Sequence, residues 1–385
     1  MNNSKKHALK WNIILAASAL FACSSVIFLL TNIKPAHALQ PQPTEPTEAV
    51  QYTIMDEYDA LLGNVLTQAR TALDNVSKVF WLDPYTVPAP MPKEECYGTT
   101  DDPSSLHDIL EESSGLLNGQ DTLFRTDLEL APDSKITYYL DPSILVLTWQ
   151  QVIDEFTYTI SEVKISHPSQ FRRYLANNEY NSDYTYPPTK MAETVNAVVA
   201  SSADFYLGKN HGIIVYQGQL RQVEHIDKMD SCFIDENGDL LFAKAGKFSS
   251  AEEVQEYIEQ KNIDFSLAFG PILIKNSKRC EPKVYLLGEV NGKFPRMALC
   301  QMDDLHYLLV TANGDFRAWK QPTIHQFAAH LEQFGCKSAY ALDGGRTPVI
   351  TMNGEVLNPR NRNERWVSDI LYFATAIPPE KEAYG

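Results

Sequence analysis

The feature that most constrains this 385-residue chain is the texture of its C-terminal part. From about residue 135 onward, short β-branched and aromatic runs recur, separated by turn residues. Segments 136–140, 144–148, 213–216, 307–310 and 370–373 are of this kind. Such runs favour strands, because branched and flat side chains pack well on a pleated, half-buried surface. Between 232–234 and 240–242 stands Glu236-Asn237-Gly238-Asp239, where Asn-Gly is suited to the two positive φ angles of a type I′ hairpin. Only two helices are expected to interrupt the strands, each opened by a capping box. Ser250 with Glu253 starts one that runs to about Gln260. Thr323 with Gln326 starts the other, whose apolar face is Ile324, Phe327, Leu331 and Phe334 and which closes at Gly335. The expected fold is a mixed α+β, strand-rich single domain of catalytic type with few helices, covering 135–385.

The N-terminal part has a different character. Lys5, Lys6 and Lys10 precede residues 11–33, which carry no charge and are rich in Leu, Ile, Ala and Phe. A run of this length crosses a bilayer, and the flanking lysines hold its N-terminus in the cytoplasm. Residues 1–38 are therefore read as a signal anchor, or as a signal peptide cleaved near Ala38, since Ala36-His37-Ala38 has the small-x-small form. The first reading gives a single-pass cell-membrane protein with its C-terminal domain extracytoplasmic. The second gives a secreted one.

Residues 39–134 are read as a linking region: a Pro-rich spacer at 41–48, an amphipathic helix at 53–81 and an acidic connector with a short helix at 106–117. The stripe Leu62, Leu66, Ala69, Leu73, Val76 and Phe80 has alternating spacings of four and three. It serves either to pack on its own domain or to form a dimerising stalk, and the oligomeric state stays open.

Charge and cysteine usage exclude several classes. The formal charge is −16, and residues 44–141 account for most of it, with 5 basic against 19 acidic residues. An acidic chain without a basic stripe lacks what phosphate-backbone binding requires, so no nucleic-acid partner is expected. Cys96, Cys232, Cys280, Cys300 and Cys336 are scattered without any C-x-x-C, and are read as small buried side chains with at most one disulfide. His325 and His330 lie five apart, the wrong spacing for one helical face, and no H-E-x-x-H occurs. No metal and no cofactor are expected. The segment 288–294 has the look of a phosphate loop but is one residue short, and reads better as a turn at Asn291-Gly292.

The chemistry is expected around Asp343. The buried-strand segment 338–342 runs into Asp343-Gly344-Gly345-Arg346-Thr347, which puts a carboxylate and two glycines at a strand end, where backbone can approach a ligand closely. A strand with the turn Asn353-Gly354 follows, and then Arg365-Trp366-Val367-Ser368-Asp369. Upstream stand Phe294-Pro295-Arg296-Met297-Ala298, Phe269-Gly270-Pro271-Ile272-Leu273 and Ala200-Ser201-Ser202-Ala203-Asp204-Phe205-Tyr206.

In this order and spacing the segments resemble the phosphodiester glycosidase family, over about residues 135–377. The resemblance implies an exported hydrolase that cleaves the glycosidic bond of sugar-1-phosphodiesters in cell-envelope or exopolysaccharide glycans. It implies Asp343 as the carboxylate near the anomeric carbon, Arg296 as the cation on phosphate and Asp204 as a second carboxylate. Ser202, Tyr206, Gly344, Gly345, Arg346, Thr347, Arg365 and Ser368 are the implied substrate-binding residues. Four positions depart from the family pattern: Ser202 replaces Asn, Met297 replaces Thr, Arg346 replaces the third Gly and Thr347 replaces Ser. Arg346 leaves open a phosphoglycan-binding module that does not cleave, and the helix at 53–81 leaves open a membrane-tethered structural partner in which it mediates assembly.

Overall fold

The computed structural model describes residues 82–101, 130–204, 206–208, 211–282, 292–315, 320–360 and 362–377. The expected anchor at 11–33, the spacer, the amphipathic helix at 53–81, the short helix at 106–117 and the turn at Asn291 lie outside these residues. No helix among the described residues is long and apolar enough to cross a membrane.

The described residues form four sheets, and every strand pairing in them is antiparallel. A nine-stranded sheet runs, edge to edge, through Tyr97–Thr100, Ile136–Asp141, Ile144–Ile153, Phe156–Ile165, His306–Asn313, Arg296–Asp303, Ser338–Leu342, Ile272–Lys275 and Lys278–Arg279. A five-stranded sheet has the order Glu355–Val356, Ile350–Met352, Val199–Ser202, Asp369–Phe373 and Phe171–Leu175. The strands Leu240–Ala243, Ser231–Asp235 and Ile263–Leu267 make a third sheet, and Gly212–Tyr216 pairs with Gln219–Glu224. The large sheet takes an edge strand, Tyr97–Thr100, from a segment read as connector, and Ala89 from the same segment is buried. The β-body therefore draws on chain N-terminal to residue 135.

Three α-helices are described: α1 (Pro188–Thr194), α2 (Ala251–Lys261) and α3 (Ile324–Gln333). Thr323 and Gln326 close the full capping box on α3. On α2 the box is half made: Ser250 Oγ accepts from Glu253 N, while the Glu253 carboxylate turns to Ser249 instead. Sequence periodicity misses α1, whose seven residues are too few for a stripe. Its available signal is Pro187-Pro188, which places proline at the first helical position.

The centre of the large sheet is covered on both faces, so the runs 297–300, 307–310 and 339–342 are apolar or small on both sides. Ala298, Cys300, Ala339 and Ala341 face α3, with Leu145, Leu147, Leu308 and Val310. Their neighbours Met297, Leu299, Tyr340 and Leu342 face the opposite way, toward Phe171, Val199, Leu371 and Phe373 of the five-stranded sheet. In register, Cys300 pairs with Ala339 and Ala298 with Ala341, so a patch of small side chains lies beneath the helix. Phe327, Leu331 and Phe334 fill the space above it. His330 sits on the same buried face, with Tyr158 OH 2.6 Å from Nδ1 and Asp154 Oδ2 3.0 Å from Nε2, a structural pairing. Among the described cysteines, Cys232, Cys300 and Cys336 are buried and all five are free.

The two Asn-Gly turns differ. Asn353 and Gly354 both have positive φ, 50° and 76°, and Met352 pairs with Glu355 across a two-residue type I′ turn. At Asn237-Gly238 only the glycine is positive, at 84°, so the expected type I′ geometry does not form there. Asp235 is the reason: its Oδ1 accepts from the N–H groups of Asn237 and Asp239, both at 2.9 Å, which holds a longer loop.

Phe327 is fully buried, with its ring centroid 6.2 Å from that of Tyr158. Phe327→Ala is expected to cost about 3–5 kcal/mol in urea unfolding, by transfer loss plus a cavity over the small-residue patch. A cost below about 1 kcal/mol would show that this ring does not anchor α3.

Candidate active site

Three strand ends meet at Asp343. Its N–H donates to the carbonyl of Ala203 at 3.0 Å, just past the strand Val199–Ser202 of the five-stranded sheet. Two residues on, Gly345 N–H donates to Pro295 O at 2.8 Å, beside the first residue of Arg296–Asp303. A Cβ on Gly344 would lie 2.7 Å from Pro295 O and 4.0 Å from Arg296 Cα. The main chains of Asp343, Asp204 and Arg296 thus converge at one place, although they come from two different sheets. Glycine at 344 is required by this approach, and at 345 by a φ of +64° with open space around it.

The Asp343 carboxylate is oriented by a short relay. Thr347 Oγ1 donates to Asp343 Oδ2 at 2.8 Å, and Arg365 Nη1 donates to Thr347 Oγ1 at 3.2 Å while lying 3.9 Å from Asp343 Oδ2. Asp343 is 6% exposed and the Arg365 side chain 42%, so this guanidinium faces solvent beside a sheltered carboxylate. Thr347 N–H closes the turn onto Gly344 O at 3.1 Å.

Arg296 is buried. Its Nε donates to Pro322 O at 3.3 Å, Nη2 donates to Gly292 O, and its guanidinium carbon stands 5.4 Å from the Phe294 ring centroid. Arg346 is exposed. Ser202 is fully buried: its Oγ accepts from Val349 N at 3.1 Å and contacts Met297 Sδ at 3.4 Å. Two of the departures from the family pattern, at 202 and 297, therefore touch each other. Ser368 is also fully buried, with Oγ 3.3 Å from Asp369 Oδ1. Tyr206 is enclosed between the Tyr180 ring, stacked at 5.6 Å, and the Arg173 guanidinium at 5.5 Å. Burial pushes its phenol up to about 12.

Behind Asp343 lies a charge cluster that the motif reading only half supplies. Arg173 donates from Nε at 3.0 Å and Nη2 at 2.6 Å to Asp369 Oδ2, and its Nη2 is 3.4 Å from Asp204 Oδ2. Asp204 Oδ2 also accepts Ala268 N–H at 2.6 Å, and Asp204 N–H donates to Asp369. All three side chains are sealed from solvent. Two carboxylates share one guanidinium, which leaves one negative charge in excess. Burial, opposed by Arg173 and reinforced by Asp369, raises the Asp204 carboxyl to about 6, so a proton there neutralises the cluster. Arg173 itself is held above the usual arginine range: burial alone would lower it, and the two aspartates more than offset this. Its signal in the sequence is an Arg172-Arg173 pair inside an otherwise apolar strand, Phe171–Leu175, which a solvent-face reading of arginine passes over.

Among the described residues no group of three or more His, Cys, Asp or Glu is placed to hold a metal ion.

Residues 193–374 match the family model of phosphodiester glycosidase. An uncharacterised protein of Bacillus subtilis strain 168, the SPbeta prophage-derived YomE, is 27% identical over 125 residues, which is 32% of this chain and 19% of that one. The chain thus spans about a fifth of the length of that curated relative. Among solved structures, the zebrafish N-acetylglucosamine-1-phosphodiester alpha-N-acetylglucosaminidase catalytic domain, auto-inhibited by its pro-peptide, aligns with 16% identity and a TM-score of 0.48. That alignment covers 60% of this chain and 83% of that one. A hypothetical protein from Synechocystis aligns with 15% identity and a TM-score of 0.47, covering 64% of each chain.

Two substitutions probe this geometry. Asp204 has a raised carboxyl pKa, so its contribution to stability is complete below the ordinary aspartate value near 3.9 and is lost as pH rises to about 6. Asp204→Asn removes that titration and keeps an acceptor for Ala268 N–H. The melting temperature of the variant relative to wild type is expected to climb between pH 4 and 7, and a flat difference would refute the shared proton. Gly344→Ala meets a backbone carbonyl and should shift the loop, destabilising by more than Gly345→Ala, whose left-handed strain costs about 1–3 kcal/mol. Thermal unfolding of the pair gives the order, and the reverse order would contradict the close approach at 344.

Proposed function

We propose that this chain, whose residues 193–374 form a phosphodiester glycosidase domain, hydrolyses the glycosidic bond of sugar-1-phosphodiesters. The observation that carries the reading is the sheltered Asp343 carboxylate set beside the exposed Arg365 guanidinium through Thr347. Cleavage at the anomeric carbon passes through an oxocarbenium-like state, which a nearby carboxylate stabilises. The water oxygen bonds to that carbon and releases its proton to solvent, the carbon–oxygen bond to phosphate breaks, and its electron pair leaves with the phosphate monoester. This leaving group is a weak base, so a cation on the phosphate takes the place of a strong general acid. Arg365 offers the accessible fork of donors, and Arg296 adds positive charge from behind the loop. Gly345 N–H is engaged with Pro295 O, so the two glycines act through close backbone approach.

Asp204 works from inside. It is enclosed with Arg173 and Asp369, and the carbonyl of the preceding Ala203 receives the Asp343 N–H, so the cluster fixes the main chain on which Asp343 rests. Tyr206 and Ser368 support the same cluster. The apolar run at 11–33 and the lysines before it support an exported chain, tethered to the membrane or released near Ala38, with cell-envelope or exopolysaccharide glycans as its substrates.

A panel of sugar-1-phosphodiesters incubated with the full chain should yield free sugar. Asp343→Asn should lower the rate on the order of 10²–10⁴-fold. Equal turnover by Asp343→Asn would reject this carboxylate. Binding without any released sugar over long incubation would instead identify a phosphoglycan-binding module.

A further inference from the structure

Four arginines lie between 346 and 365, in and after the Asp343 turn: Arg346, Arg360, Arg362 and Arg365. Arg365 belongs to the Asp343 relay. The other three line one small cleft that is open to solvent, together with Asn313 and Gly345. Gly345 is two positions from Asp343. The cleft therefore opens on the reactive loop itself.

Within the cleft the arginines have different tasks. Arg360 is a clamp: Nη2 donates to the carbonyls of Arg346 at 3.0 Å and Asn363 at 3.3 Å, Nε donates to Arg362 O at 3.4 Å, and Nη1 donates to Pro348 O. It is half-buried, and burial lowers its pKa. Its bonds tie the 346–348 segment to the 362–363 segment and so fix the backbones that carry Arg346 and Arg362. The side chains of those two are exposed and make no hydrogen bond or ion pair with any described residue. No carboxylate is among the residues that line the cleft, and Glu364, which acts electrostatically on Arg360, is hydrogen-bonded to Thr189, accepting from Thr189 N at 3.1 Å and Thr189 Oγ1 at 2.7 Å. Two guanidinium groups are thus held at one cleft without a facing acid. Like charges placed together repel, and a bound anion removes that cost while accepting planar, paired donors.

We propose that this cleft is a second anion subsite, which takes a further phosphodiester along the glycan, so that the substrate is a polymer with repeated phosphodiester links. The inference rests on the reading under Proposed function, in which the first phosphodiester lies at Asp343 and Arg365. Arg346 then acts as a specificity residue. It occupies the position of a glycine in the family pattern, and its side chain lies at the cleft beyond Gly345, alongside Arg362.

The test uses two synthetic oligosaccharides, one with a single sugar-1-phosphodiester and one with two in sequence. Binding to full-length Asp343→Asn protein, whose slowed turnover leaves the substrate intact over a titration, is measured by calorimetry. The second phosphodiester should lower Kd about 10- to 100-fold at low salt, as expected of charge-assisted hydrogen bonds. The gain should shrink as salt rises, because both arginines are exposed. It should disappear in the added Arg346→Ala/Arg362→Ala variant and survive in part in Arg346→Lys/Arg362→Lys, which keeps charge but loses the fork. Equal Kd for the two compounds, or an undiminished gain in the double alanine variant, would overturn the subsite. Should wild-type chain release sugar from neither compound, the hydrolase reading fails, and the binding comparison still decides the subsite by itself. The two side chains exchanged, Arg346 and Arg362, are exposed, so melting temperatures unchanged from the parent are expected and confirm that folding is not the cause.

Discussion

One buried guanidinium holds the region around the candidate site together. Arg173 projects from the five-stranded sheet, grips Asp369 on the neighbouring strand of that sheet, reaches Asp204 at the end of a third strand, and donates to the carbonyl of Ser266 in the three-stranded sheet. Asp204 in turn accepts the N–H of Ala268. Such a cluster is costly to bury and cannot tolerate loss of a member, since each charge is compensated only by the others. It also specifies geometry, because a fork of donors is satisfied by one arrangement of carboxylates. The place where the two sheets meet at Asp343 is fixed relative to this arrangement through the Ala203 carbonyl.

The packing around it has the same logic in apolar form. The strands Arg296–Asp303 and Ser338–Leu342 put small side chains toward one helix and large ones toward a second sheet, so their two faces have different jobs. This asymmetry holds the strand ends in register. The loop from Asp343 to Thr347 can then be built of two glycines and a tight turn, because the strands before and after it are immobilised by burial.

Much of this was legible in the sequence. The strand runs at 136–140, 307–310 and 370–373, the helix caps at Ser250 and Thr323, and the Asp343-Gly344-Gly345 turn all rest on local rules, and local rules act within a few residues. The Asn353-Gly354 turn forms as local chemistry demands, whereas Asn237-Gly238 does not, because Asp235 supplies competing hydrogen bonds to the same loop. Helix α1 escaped because seven residues carry less than two turns of pattern. Arg173 escaped because its partners lie 31 and 196 positions away.

The sequence by itself determined which residue types stand at which strand ends, and so the class of chemistry: a carboxylate followed by glycines, arginines close behind it, and no clustered metal ligands. The tertiary structure alone decided which arginine does what. Arg173 is sealed against two aspartates, Arg296 lies behind the loop on backbone carbonyls, Arg360 clamps two segments, Arg365 faces the Asp343 relay, and Arg346 and Arg362 open onto a cleft. The physical reason is that a guanidinium is the same group in every sequence context. Its task is set by how much water remains around it and by which oxygens the fold brings within reach, and those oxygens come from segments distant along the chain.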